Sequence, residues 1–323
     1  MDILERYSSY GWTKTAICQK WGMSIKTFYI RPKSHSAPVG PQWNQLSRIT
    51  LAEQLAVKNY ALEHTELRHR ELSYRMIDEN IAYMSPSSVY RILKNFNIIS
   101  QNSVKNKPGK WDPHECVDRP DKVWQTDLMV LKYKSKEFYL LSYLDVFSRF
   151  NVFHKLCTSM TGHSIETASM EAMEQTGITP EIIQSDNGGC YASAEYRRFI
   201  ASIDATHHFI HPHCPNENAE IERHHRTLRE LIDPDDADGV DELYEIINEQ
   251  IRYYNYVRYH SRIGFIPPYE KYRGDPERIF EARKKKLEKA KEQRLKLNHS
   301  LWLKRQQNLI HSTKPNILES STF

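Results

Sequence analysis

At Val123 the spacing of apolar residues changes from helical to strand-like, and three β-prone runs follow in succession. They are VWQTDLMVLKY (Val123–Tyr133), EFYLLSYLDVF (Glu137–Phe147) and RFNVFHKLC (Arg149–Cys157), joined by short polar turns such as Lys134-Ser135-Lys136. Connections this short join antiparallel neighbours, because a parallel pair needs a crossover of about a dozen residues or more. The stretch therefore reads as an antiparallel meander. Beyond it, TGHSIETASMEAMEQTG (Thr161–Gly177) predicts a helix, EIIQSD a strand, SAEYRRFIASI a helix, THHFIHPH a strand and NAEIERHHRTLRELI a helix beginning near Asn218. A meander followed by alternating strand and helix gives an α/β domain, a mixed five-stranded sheet with flanking helices.

Three acids stand out in that layout. Asp127 falls in the middle of the first strand, where a carboxylate on an apolar strand requires a cation or hydrogen-bond donors to remain ionised. Asp186 ends the fourth strand, a neighbour of the first, immediately before Asn187-Gly188-Gly189, which reads as a turn that keeps the space beside the acid clear. A single Asp at such a place more commonly caps a turn than takes part in chemistry. Glu222 lies one turn into the helix after the fifth strand, where surface glutamates are routine.

The chain before the sheet is helical. WTKTAICQKWGMSIKTFY (Trp12–Tyr29) gives a helix with Ala16, Ile17 and Trp21 inward, a break at Gly22 and a new N-cap at Ser24. This is a helix-turn-helix pattern whose second helix, bearing Lys26, could enter a major groove, although two short packed helices are common without any such role. Leu51–Leu62 and Leu67–Glu79 read as further helices, and SPSSVYRILKNFNII opens a third with Ser85 as N-cap and Pro86 at the first helical position. Val89, Ile92, Leu93 and Phe96 fall on its core face. Arg91 and Lys94 lie off that stripe, free for phosphates or for water. The division expected is a helix-turn-helix over 1–45, a second helical segment and linker over 46–110, an α/β core over 111–272 and a basic helical tail over 273–323.

Charge and composition agree with a polyanion partner. The net charge of +4 conceals twelve Lys/Arg against six Asp/Glu from Asp275 to Phe323, so the remainder of the chain is slightly acidic. The stretch EARKKKLEKAKEQRLK (Glu281–Lys296) reads as helical, and a solvated mixed-charge helix would look similar. No stretch approaches membrane-spanning length, and MDILERYSSYGW lacks the apolar core of a signal peptide. Five scattered cysteines without a CxxC pair suit a reducing cytoplasm.

Asp127 and Asp186 are separated by 58 residues, and Asp186 and Glu222 by 35. This resembles the Asp-Asp-35-Glu catalytic core shared by retroviral integrases and bacterial insertion-sequence transposases. VWQTDLMVL is similar to the first-Asp strand, YLDVFSRF to the next two strands, SDNGGCY to the second-Asp turn and NENAEIERHHRTL to the Asn-Ala-x-x-Glu helix. YYNYVRYHSRIGFIPP (Tyr253–Pro268) is similar to the segment that closes this core, and the helical segment over 46–100 to the one that precedes it. Glu217 stands where the transposases often carry Asp, and Ile263 where Leu is usual.

The resemblance implies a ribonuclease-H-like fold and a Mg²⁺-dependent transposase, with Mn²⁺ as a substitute. Carboxylates are hard ligands suited to such ions. Asp127 would bridge two ions, Asp186 holding one and Glu222 the other, for in-line displacement at DNA phosphates. Arg226 and Arg229, four and seven positions after Glu222, would grip the DNA end, or form a solvated basic face. The partners implied are element ends, target DNA and further copies of the chain, with no membrane and no small-molecule substrate, and the location implied is a bacterial cytoplasm at the nucleoid. The competing reading is a catalytically silent or domesticated DNA-binding regulator of the same fold. A nuclease that only cuts is disfavoured by the two helical DNA-binding segments. His207, His208, His211, His213 and Cys214 are dense enough to suggest zinc but lack paired ligand spacing.

Overall fold

A computed structural model of the chain describes residues 11, 13–20, 47–99, 117–211 and 214–312. Most of the expected helix-turn-helix, Lys26 included, and the linker that closes the 46–110 segment lie outside those residues. The chain divides into two compact units, Ile49–Gln293 and, separately, Met1–Arg48 with Arg294–Phe323. In the latter, helix α1 spans Lys14–Lys20.

The larger unit opens with three helices, α2 (Leu51–Glu63), α3 (His69–Asp78) and α4 (Pro86–Asn95). The starts of α2 and α4 have a chemical cause. Thr50 and Glu53 form a reciprocal capping box on α2. Ser85 caps α4 and Pro86 occupies its first position. The three helices close over Val57, Tyr60, Leu72, Met76, Val89, Ile92 and Leu93, a small core of their own.

The sheet follows as β1 (Val123–Tyr133), β2 (Lys136–Asp145) and β3 (Asn151–Cys157). Next come α5 (Gly162–Thr176), β4 (Ile182–Ser185), α6 (Ala194–Ser202) and β5 (Thr206–Phe209). The strand order is β3-β2-β1-β4-β5, with β1, β2 and β3 antiparallel and β4 and β5 parallel to β1. This is the mixed five-stranded ribonuclease-H-like sheet expected from the sequence. Tyr133 pairs with Lys136, so the β1–β2 loop is the two residues Lys134 and Ser135, both at positive φ, as a tight hairpin following the strand twist demands. Asp145, at the end of β2, is fully buried and accepts from the amides of Asp121 and Ser148 and from the Ser148 hydroxyl. Burial nevertheless pushes its carboxyl up to about 6.

Helix α7 (Ala219–Leu231) is preceded by a single 3₁₀ turn, Pro215–Asn218, and followed by α8 (Val240–Tyr256). Trp124, Leu141, Tyr143 and Phe153 meet α5 and α6 on one sheet face. Met129, Leu131 and Leu140 meet Leu228 of α7 and Leu243, Ile247 and Ile251 of α8 on the other. Side chains alternate along a strand, so Gln125 and Asp127 lie on the α7 side with Met129. Helices α9 (Pro268–Tyr272) and α10 (Pro276–Ser312) complete the described residues, α10 extending beyond the expected Glu281–Lys296 at both ends.

Candidate active site

Strand β1 and helix α7 run in step. Gln125 meets the backbone of Ile221, Asp127 meets His225, and Met129 packs in one cluster with Leu228. Two strand residues rise about 6.6 Å and four helical residues about 6 Å, so the two periods nearly coincide over this stretch. Asp127 is thereby set on the strand opposite the first two turns of α7. Its Oδ1 accepts from the Leu128 amide at 2.8 Å, and its Oδ2 lies 3.4 Å from Nδ1 of the buried His225.

Glu222 reaches the same place from the helix. It is exposed, yet its carboxyl is held above the usual range, first by partial burial and then by the negative charge of Asp127, with Arg226 and His225 opposing. Two carboxylates that repel one another at the junction of a strand and a helix are a setting that a cation relieves.

Asp186 follows the last residue of β4, half-buried, with Oδ1 accepting from the Gly188 amide at 3.0 Å. The expectation that both glycines clear space beside it requires correction. A Cβ on Gly188 would stand 2.9 Å from Asp186 Oδ1, whereas one on Gly189 would meet nothing within 4 Å, and neither residue is at positive φ. Gly188→Ala is expected to push the carboxylate off its amide, speeding hydrogen exchange of the residue-188 amide about tenfold with little loss of stability. Gly189→Ala is the matched control. Equal exchange at the residue-188 amide in the two variants, measured beside urea unfolding, would remove the role given to Gly188.

Burial raises the thiol pKa of Cys190, with smaller contributions in the same direction from Asp186 and Asp127 and opposition from the backbone at Tyr191 and Cys190. Among the described residues, however, no group of three or more His, Cys, Asp or Glu side chains stands close enough to hold a metal ion. Donor chemistry and the Asp127–Glu222 repulsion fit a divalent cation at that pair. Asp186 has the right chemistry and the right sheet edge without completing a three-ligand set.

The other expected residues disperse. Arg226 and Arg229 are exposed on α7. Arg91 and Lys94 are exposed on α4, with Arg91 bonding back to Ser87 and Ser88 of its own helix. His207 is packed among Tyr191, Tyr196 and Phe209, bonds to Ser185 Oγ at 2.9 Å and is held by burial near pKa 4. His211 instead donates its amide to the Glu217 carboxylate, and its Nδ1 lies 2.9 Å from the same group. Sequence reasoning passed over Gln125, Gln184 and His225. The signal for the first two was a buried-strand glutamine two positions before each aspartate, and for His225 a histidine one turn after Glu222.

Residues 117–215 match one family model described as integrase core domain, and residues 203–268 match another of the same description. The transposase for insertion sequence element IS904 of Lactococcus lactis subsp. lactis is 29% identical over 47% of this chain and 62% of its own length. The intracisternal A-particle Pol-related polyprotein of mouse is 32% identical over 37% of this chain and 14% of its own length. The chain thus spans less than two thirds of these curated relatives. Among solved structures, the HTLV-2 integrase catalytic core domain in complex with magnesium aligns at TM-score 0.41 and 22% identity, covering 48% of this chain and 97% of that one. A simian T-cell lymphotropic virus intasome chain aligns at TM-score 0.43 and 19% identity, over 67% and 73%. Among the described residues no helix is long and apolar enough to cross a membrane.

Proposed function

We propose that this chain, whose residues 117–215 and 203–268 match integrase core domain models, belongs to the ribonuclease-H-like transposases and integrases and is a DNA transposase that cleaves the ends of a mobile element and joins the freed 3′-OH to target DNA. The observation that carries the reading is the pairing of Asp127 with Glu222, two acids 95 positions apart brought within electrostatic reach by strand and helix in step. Asp127 and Glu222, with Asp186 beside them, would hold divalent metal, Mg²⁺ or in its place Mn²⁺. Two such ions, when bound, supply activation of the attacking oxygen and stabilisation of the leaving 3′-oxygen.

The protein's own groups do the rest. His225 orients Asp127 from the helix side. Arg226 and Arg229 extend the Glu222 helix outward as phosphate contacts for the DNA end. The segment 46–110, through Arg91 and Lys94, and the N-terminal segment with Lys26 are assigned to binding the element's terminal repeats, and the tail over 273–323 to DNA or a second chain. One set of acids processes one end, so paired-end joining requires at least two chains, for which two-fold symmetry is the commonest arrangement. The workplace is bacterial DNA in the cytoplasm.

Purified chain, a duplex carrying the element's ends and Mg²⁺ test the reading. Nicks leaving a 3′-OH at the element boundary are expected, none in EDTA, and binding that weakens steeply as salt rises. Salt-sensitive, end-specific binding without any nicking in Mg²⁺ or Mn²⁺ would favour the silent regulator instead.

A further inference from the structure

The start of the Glu222 helix has no cap of its own. Asn218, at the N-cap position, makes no side-chain capping bond, and its Oδ1 is buried without a hydrogen-bond partner. The capping comes from the sheet. Gln125 Oε1 accepts from the amide of Ile221, the third residue of α7 and the one joined to Glu222. Gln125 Nε2 and Gln184 Nε2 both donate to the carbonyl of Glu217, each at 2.7 Å.

Gln125 and Gln184 are register partners on β1 and β4, almost fully buried, and each lies two residues before one of the aspartates. Side-chain period on a strand is two, so Gln125 shares its face with Asp127. Both lone pairs of one carbonyl are taken by neighbouring strands, and the amide of the third helical residue turns back to the same strand. We propose that Gln125 and Gln184 are positioning residues that fix the height of α7 on the sheet and so set Glu222 against Asp127. They touch no reacting atom; they act through Glu222. This rests on the reading of Asp127 and Glu222 as metal ligands.

The test uses the full chain and Mg²⁺ alone, reading thermal midpoint against Mg²⁺ concentration, and hydrogen exchange at the Ile221 amide. Gln125→Met removes a donor and an acceptor at nearly constant volume. It is expected to speed Ile221 exchange and to raise the Mg²⁺ concentration for half-maximal stabilisation about tenfold. Gln184→Met leaves Gln125 in place and should raise that concentration by a smaller factor, about threefold. In a Glu222→Gln background the Gln125→Met effect on the Mg²⁺ midpoint should vanish, because the group it positions is gone. A merely structural role would shift melting equally with and without metal and leave the Mg²⁺ midpoint unmoved, and that result overturns the proposal. Should Gln125→Met fail to fold, Gln184→Met decides alone: an unmoved midpoint overturns the inference and a raised one supports it. Wild-type chain showing no Mg²⁺ stabilisation at all would defeat the metal reading and this inference with it, whereas wild-type stabilisation unchanged in both variants defeats only the inference.

Discussion

Asp127→Asn is expected to abolish nicking, by roughly a thousandfold or more, equivalent to about 4 kcal/mol of transition-state stabilisation. The same change should invert the stability order of variant and wild type between EDTA and Mg²⁺. Without cation, Asp127 repels Glu222, whose carboxyl is held up in part by that charge. An Asn can still accept from the Leu128 amide and face His225, so the variant keeps the local bonds and loses the repulsion. In EDTA the variant should therefore melt at or above the wild-type temperature. In Mg²⁺ the order should invert, because a ligand that binds only the folded state stabilises it by about 2.7 kcal/mol at a hundred times its Kd, and the variant forfeits most of that. DNA binding in Ca²⁺-free buffer should be little altered, since no phosphate contact is assigned to Asp127. A variant that loses stability equally in EDTA and in Mg²⁺ would make Asp127 a structural acid and leave the metal without its central ligand.

Much of this arrangement is legible in the sequence because its causes are local. The run VWQTDLMVLKY becomes β1 over the same residues, since β-branched and aromatic side chains fill both faces. Thr161, Ser193 and Ser85 cap helices where hydroxyls precede helical runs, and Gly177 ends α5 in the left-handed region. Asp127 at mid-strand and Glu222 early in α7 follow once those elements are placed. What period and capping do not encode is partnership over long separations. Gln125 looks like one more strand residue until Glu217 and Ile221, more than ninety positions away, arrive above it. Gly188 and Gly189 are indistinguishable in sequence, and only the position of the Asp186 carboxylate separates them. THHFIHPH reads as a strand to its end, yet pairing with β4 stops at Phe209, because β4 itself ends at Ser185. The start of α7 shows the same limit: Asn218 has the chemistry of a cap, yet a glutamine from the sheet takes the role.

A second large effect is expected at a pair that no local pattern announces. Arg283 of α10 is 4% exposed and bonds Asp78 of α3 through Nε at 2.9 Å and Nη2 at 2.6 Å. Its remaining donors reach the carbonyls of Gly264 and Phe265, at 3.0 and 2.7 Å, in a turn where both residues are at positive φ. Tyr259 donates to the same Asp78 carboxylate at 2.7 Å, and Lys286 donates to the Ile77 carbonyl at 2.8 Å. Tyr74 stacks on Phe265 at 4.9 Å and lies under the Arg283 guanidinium. One guanidinium therefore joins the helices before the sheet to the turn and helix after it. Arg283→Met retains the apolar stem but leaves a carboxylate and two carbonyls short of donors. Asp78 keeps 24% of its side chain exposed, so stranding its charge and two carbonyls costs about 2–3 kcal/mol, less than breaking a fully buried pair. Adding Asp78→Leu removes that charge and should recover a good part of the loss, so the double variant should be less destabilised than the two single changes added. Hydrogen exchange locates the effect. In Arg283→Met, amides of α3 should lose protection well before those of β1, since α2, α3 and α4 keep their own small core while losing their anchor to Gly264 and Phe265. Urea unfolding of Arg283→Met within about 1 kcal/mol of wild type would show that stacking and Lys286 suffice, and that the ion pair holds nothing the aromatic contacts do not.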